Sequence, residues 1–189
     1  MIKLLLAIAV LILAALLIRQ VFFSFPAQRL SDYASESPSF DIRQAFEGPV
    51  EAHGMIYGPT GRVTSRFRAM MVGSFTNEGG VINEEFDYAS GRTQSRAWKI
   101  RFAEDGTISS TADDIEGVAT MNQRGNALEM HYKLRLPEDA GGHVLDVTDW
   151  IYQMPDGTLL NRSQMRKFGI KVAELFAVMR RVSDTQPAE

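Results

Sequence analysis

Three charged side chains fall on the apolar side of strand-like alternations. In Gln94 to Phe102, Trp98, Ile100 and Phe102 share one face, and the same parity carries Arg96 onto it. Between Val81 and Tyr88, the set Ile82, Phe86 and Tyr88 takes Glu84 inward, while Asp149 alternates with Leu145, Val147 and Ile151. An unpaired buried charge costs several kcal/mol, so a charge kept inside is paired, hydrogen-bonded or used. The functional reading is a polar cluster at one end of a barrel cavity. There Arg96 could grip a carboxylate or phosphate headgroup through two parallel hydrogen bonds. The competing reading is an internal salt bridge, or charges at strand ends that reach solvent. A bulge that slips the parity by one would turn all three outward.

Other residues could serve the same cavity. Asn161 and Arg162 follow a turn and could face a ligand or only stabilise that turn. Trp98 and Trp150 could be ligand platforms, or core and rim aromatics. The candidate ligand-binding set is therefore Glu84, Arg96, Trp98, Asp149, Trp150, Asn161 and Arg162. Asp113, Asp114 and Glu116 form an acidic patch that invites calcium. The run lacks the D-x-D-x-D-G loop and enough oxygen ligands, so a solvated turn is expected there.

Much chemistry is excluded. The chain has no cysteine, which removes disulfides, thiolate metal sites, thiol nucleophiles and a lipid-modified cysteine together. His53, His131 and His143 are scattered without metal-ligand spacing, and His131 lies on an outward parity. There is no G-x-S-x-G elbow, glycine-rich phosphate loop or H-E-x-x-H. Neither a catalytic constellation, a cofactor nor a metal is expected. The formal charge of −3 becomes more negative beyond the N-terminal segment, which speaks against nucleic acid.

The elements that must position these residues come next. A chain of 189 residues suits one domain with a real core. Leu4 to Ile18 is an uncharged apolar run bounded by Lys3 and Arg19. As a helix it covers about 22 Å, short of the roughly 30 Å hydrocarbon core. Ile2 through Phe25 would cover about 36 Å, enough to span if Arg19 snorkels to the headgroups. Cleavage after Ala15 or Ala27 would put Leu13 or Phe25 where a small residue is wanted, which favours an uncleaved anchor over a cleaved signal peptide. The address is the cell envelope, with the domain on the periplasmic side of an inner membrane. Residues 1–25 are thus a signal-anchor segment and 26–41 a polar, Ser-rich linker. Residues 42–182 form the β-domain and 183–189 a frayed tail.

Turn signals punctuate the domain at Gly58–Gly61, Asn77–Gly80, Ser90-Gly91, Glu104–Gly106, Asn122–Asn126, Pro137–Gly142 and Pro155–Gly157. Short strands at such spacing predict an antiparallel sandwich or barrel. Leu128, Met130, Tyr132, Leu134 and Leu136 face in, opposite Glu129, His131, Lys133 and Arg135. In Val63 to Phe75 the odd positions Val63, Phe67, Ala69, Met71 and Phe75 are apolar. Lys167 to Val182 fits a closing strand, although Val172, Leu175, Phe176 and Met179 also fit one helical face; Gly169 followed by alternation favours strand.

Several clusters, in their order and spacing, resemble one family. They are Arg96-Ala-Trp98-Lys-Ile100, Thr111 to Gly117, Gly125-Asn-Ala127, Asp149-Trp150, Leu160 to Ser163 and Lys167-Phe-Gly169. From about Phe46 to Arg180 the chain resembles an uncharacterised bacterial envelope family, a domain of unknown function often found as lipoproteins. The resemblance implies an all-β, lipocalin-like antiparallel barrel, a lipid-related setting and no established activity. Two departures stand out. The attachment cysteine is missing, which leaves anchoring to the hydrophobic helix. Thr148 also stands where a second acidic residue before Asp149 is expected, so a carboxylate pair at that place is in question.

The first functional expectation is a membrane-tethered barrel holding an acyl chain or other amphiphile. The alternative is an accessory protein whose barrel is filled by its own side chains and which acts through partner contacts. A lipid-modifying enzyme comes third. Phe, Met, Trp and Leu could fill an eight-stranded barrel, so a cavity above roughly 300 Å³ separates the first two.

Overall fold

The computed structural model describes residues 1–22 and 24–182, so the tail 183–189 lies outside the described residues. Helix α1 covers Ile2–Phe22, short 3-10 turns cover Phe25–Ala27 and Leu30–Tyr33, and helix α2 covers Ile42–Phe46. Ten strands follow: β1 Gly48–Tyr57, β2 Val63–Phe75, β3 Gly79–Tyr88, β4 Thr93–Phe102, β5 Ile108–Thr111, β6 Ile115–Arg124, β7 Ala127–Arg135, β8 Val144–Gln153, β9 Leu159–Lys167 and β10 Ile170–Arg181. Each pairs antiparallel with its neighbour in sequence, and β1 closes on β10 from Val50↔Arg181 to Tyr57↔Glu174. The result is a closed ten-stranded barrel rather than the eight strands of a lipocalin. Diameter grows with strand number, so ten strands enclose more than their inward side chains fill.

The alternations set the faces as the pleat requires. On β7, Leu128, Met130 and Leu134 are buried while His131, Lys133 and Arg135 are exposed. On β2, Phe67, Ala69 and Met71 point inward. The C-terminal run is strand β10, with a bulge against β9 between Lys171 and Ala173. Beyond that bulge Leu175, Ala177 and Met179 line the interior, and Phe176 faces solvent. The extra residue explains why the apolar spacing also fitted a helix.

One end of the barrel is sealed by α2. Asp41 caps it by accepting from the Arg43 amide, and Ile42, Ala45 and Phe46 are buried. The Ile42 amide donates to Gln123 on β6 at 3.2 Å, and the Arg43 guanidinium lies over the Phe102 ring of β4. The Phe46 carbonyl presses on β2 so closely that a Cβ at Gly73 would sit 2.0 Å from it.

The segment expected to be a loose spacer is docked on the wall, which corrects that expectation. Phe25 is buried against Ala127 and Trp150. Tyr33 lies 5.4 Å from the Trp150 ring and 5.2 Å from that of Tyr152. The hydroxyls of Tyr33 and Tyr152 both donate to Gln28 Oε1, at 2.6 and 2.7 Å. The Phe40 amide donates to the Gly125 carbonyl at 2.7 Å, and the Phe40 ring joins the main core. Tyr33 and Phe40 in the polar stretch, with Phe25 just before it, supply this docking, and composition averaged over the stretch hides them. Among the described residues no helix is long and apolar enough to cross a membrane. The uncharged run of α1 stops at Arg19.

Candidate functional site

Above the α2 plug the barrel encloses a cavity of about 870 Å³. Its floor is Ile42 and Phe46, and its upper part reaches the β3–β4, β5–β6 and β7–β8 loops. Most of the wall is apolar, but one sector carries the charges that strand parity placed inside.

Arg96 on β4 is the centre of that sector. Its Nε lies 3.1 and 3.0 Å from the two Asp114 oxygens, and its Nη2 donates to Asp114 Oδ2 at 2.6 Å. Its Nη1 faces Glu84 Oε2 at 3.7 Å, beyond hydrogen-bond reach. The guanidinium also lies 5.8 Å from the Phe86 ring centre and 5.5 Å from that of Trp98. Burial opposes its charge, but Glu84, Tyr132 and Asp114 outweigh burial and raise its pKa, so Arg96 stays cationic. Asp114 is therefore no solvated turn residue; the β5–β6 turn folds it back over Arg96. Asp113 is exposed at the rim and Glu116 pairs with Arg135 on the outer surface. Among the described residues no group of three or more acidic or histidine side chains is placed to hold a metal.

Two carboxylates complete the sector. Glu84 on β3 has a side chain 12% exposed, and its Oε2 makes no hydrogen bond. Burial pushes its pKa up to about 7, Asp149 and Asp114 add to the rise, and Arg96 and Trp98 oppose it. Asp149 on β8 is 9% exposed and accepts from the Tyr132 hydroxyl at 2.8 Å through Oδ2. Burial raises its pKa against the pull of Ser163, Tyr132, Asn161 and Arg96. Of these, Tyr132 makes the hydrogen bond of good geometry, and Oδ1 is left without a partner. Tyr132 is itself pushed well up by burial and by Asp149, so its proton stays on the hydroxyl. Its ring meets Trp98 edge to face at 5.3 Å.

Of the seven candidate residues, Glu84, Arg96, Trp98, Asp149 and Asn161 line this one cavity. Asn161 donates to the Trp150 carbonyl at 3.2 Å. Trp150 and Arg162 are on the other side of the wall. Trp150 is 1% exposed because Phe25 and Tyr33 cover it, and Arg162 pairs with Glu174 at 2.7 Å beneath the Phe25 ring. Strand parity required this for Trp150, since Asp149 beside it points inward. The same rule answers the question about Thr148. Its hydroxyl lies 3.1 Å from His131 Nδ1 on the outer face, so a carboxylate there could never have joined Asp149. The other inward carboxylate that feels the charge of Asp149 is Glu84 on β3. Sequence reasoning missed Tyr132 and Ser163 as members of the site; the inward parity of Tyr132 was the available signal. Nothing local marks Asp114, which a tight turn delivers.

One solved structure shares this fold. The crystal structure of Rv2717c from M. tuberculosis superimposes with a TM-score of 0.53 at 16% identity, covering 79% of this chain and 100% of that one. A candidate exported protein with a YmcC-like fold from Bacteroides fragilis gives a TM-score of 0.36 at 10% identity, over 73% of this chain and 96% of its own. No curated protein matches the sequence. The family model described as "Protein of unknown function (DUF3833)" matches residues 20–181, the docked segment as well as the barrel. The chain belongs to the DUF3833 family, and the antiparallel barrel that its sequence clusters implied is the fold it adopts.

Proposed function

We propose that the protein is a membrane-tethered envelope module that holds one amphiphilic molecule inside its barrel. The observation that carries this reading is the cavity itself. At about 870 Å³ it lies well above the roughly 300 Å³ where ligand pockets begin. It combines an apolar wall with a confined polar sector, the division an amphiphile needs. A barrel filled by its own side chains would leave no such space, so the accessory-protein alternative loses its main argument.

The tether in this reading is α1, a 21-residue helix with lysine only at its start and arginine only near its end. Leu4, Leu5, Leu6, Val10, Leu11 and Leu13 are all exposed on it, a surface that water disfavours and lipid accommodates. Arg19 near its end would extend to the headgroups. The β9–β10 hairpin, at the end of the barrel opposite α2, adds a second apolar contact for a lipid surface. Phe168 is 89% and Ile170 69% exposed at its tip, between Lys167 and Lys171. Phe168 holds φ 51, a left-handed backbone that costs a side chain about 1–2 kcal/mol. An exposed aromatic kept at that cost has a use outside the fold.

Native mass spectrometry of the full chain released from detergent tests the binding reading. A co-purified amphiphile of defined mass is expected, lost when Ala177→Phe fills the wall. An empty barrel, with an Ala177→Phe profile identical to wild type, refutes it. Alkaline carbonate extraction tests the tether: the chain is expected in the membrane pellet, and release into the supernatant refutes anchoring.

A further inference from the structure

We infer that the polar end of the ligand is a hydrogen-bond donor, an amine or a hydroxyl-bearing head, and not a carboxylate or phosphate. The inference rests on the binding reading above and specifies which chemistry the polar sector accepts.

The argument starts from what Arg96 is already doing. Two of its three nitrogens are committed to Asp114, the third faces Glu84, and aromatic rings flank the group. This corrects the expectation that it would grip an anionic head. Such a grip needs two parallel donors on one edge, and Asp114 occupies that edge. The other arginines on the cavity lining are at the rim: Arg92 lies over the Tyr88 ring at 5.2 Å and Arg135 pairs with Glu116.

The interior has an excess of acceptors. Glu84 Oε2 and Asp149 Oδ1 are buried and accept nothing, although both residues line the cavity. They project from β3 and β8; burial raises the pKa of Glu84, and the charge of Asp149 adds to that rise. A buried acceptor without a donor is costly, and an incoming N–H or O–H group removes that cost. An ammonium does more, because it also offsets the excess of carboxylates over the single inward arginine. An incoming carboxylate or phosphate meets the opposite situation, since it adds a further acceptor and a further negative charge. The groups facing the pair from every adjoining strand are Arg96, Trp98, Asp114, Tyr132, Asn161 and Ser163. The one cation among them is already paired.

The test compares three ligands that share a tail. Full-length protein in detergent is incubated at pH 8 with equal concentrations of dodecylamine, dodecanol or dodecanoate, and occupancy is read by native mass spectrometry. The amine is expected to bind at least tenfold more tightly than dodecanoate, with dodecanol between them. Glu84→Gln and Asp149→Asn are each expected to weaken the amine by tenfold or more and dodecanol by a smaller factor. Far-ultraviolet circular dichroism of each variant reports that it remains folded. Dodecanoate binding as tightly as the amine, or amine binding unchanged in both variants, overturns the inference and leaves the binding reading standing. No occupancy by any of the three overturns both.

Discussion

Replacing Glu84 by glutamine removes a carboxyl whose ionisation the fold opposes. Its pKa is lifted from an ordinary 4.5 to about 7, chiefly by burial. A group whose folded pKa is raised binds protons more tightly in the native state. Its contribution is therefore fully present below about pH 4.5 and is lost as pH rises through about 7. The size of that loss, at 1.36 kcal/mol for each pH unit of displacement, is about 3 kcal/mol. Glutamine has nearly the same shape and no charge to bury. The variant and the wild type are thus expected to differ by less than about 1 kcal/mol at pH 5, and to diverge until the variant is about 3 kcal/mol more stable at pH 8. For a chain of this length that difference is about 6–12 °C in Tm. Thermal and urea unfolding of the full chain in detergent, followed by the fluorescence of the buried Trp98 and Trp150, measures it at pH 5, 6, 7 and 8. Asp149 titrates in both proteins, so the comparison isolates Glu84. A stability difference that is flat from pH 5 to pH 8 would falsify the assignment of Glu84 as a buried, neutralised acid.

Asp114→Asn takes the bidentate partner from Arg96. The expected cost is about 2 kcal/mol, below the roughly 3–5 kcal/mol for breaking a fully buried pair because Asp114 is 26% exposed. It should also lower the pH range over which Glu84 titrates, since Arg96 is then left to Glu84; an unmoved pH profile argues against the coupling. Trp150→Ala empties a buried position on the outer wall and is expected to cost about 3–5 kcal/mol in urea unfolding. It should also open the docked segment to trypsin at Arg29, and unchanged trypsin resistance counts against that docking. Gly125→Ala places a Cβ 1.7 Å from the Tyr33 carbonyl at a residue of φ +55. The same proteolytic exposure is expected, together with a Tm decrease, and a variant with wild-type digestion contradicts the contact.

The barrel was legible because seven of its hairpin turns carry glycine with proline, aspartate, asparagine or serine, and because β2 and β7 alternate almost without exception. At the β5–β6 connection a solvated turn is expected, but β5 is only four residues long, and nothing in Ala112-Asp113-Asp114 shows that the turn folds Asp114 back over Arg96. The inward placement of Glu84, Arg96 and Asp149 followed from parity alone, a strictly local rule with period two. Partner choice does not follow from parity. Whether Arg96 meets Glu84 on the neighbouring strand or Asp114 depends on how the β5–β6 turn, 18 residues further along, folds back over β4. The docked segment failed for a related reason: Phe25, Tyr33 and Phe40 matter through contacts with Trp150, Tyr152 and Gly125, more than 80 residues further along.

A barrel selected only for stability would not keep this interior. Two buried carboxylate oxygens without donors and an ion pair in an apolar lumen each reduce stability, and hydrophobic residues of similar volume are often neutral or better at such places. The wall could also be closed with little change, since Ala52, Ala69 and Ala177 are small residues on the lumen where larger side chains would fill space. The fold instead leaves about 870 Å³ open directly beside the unpartnered acceptors. Local rules that agree everywhere else are broken at one place, and the breaks are adjacent to one another. That coincidence is what the proposed binding reading expects and an imperfectly packed core does not. It makes the double variant Glu84→Gln with Asp149→Asn informative beyond either single change. Above pH 7 the double variant is expected to be more stable than wild type while losing the amine preference described above. A double variant that is less stable than wild type at pH 8, with its ligand preference intact, would mean that these carboxylates hold the fold together and do not serve a ligand.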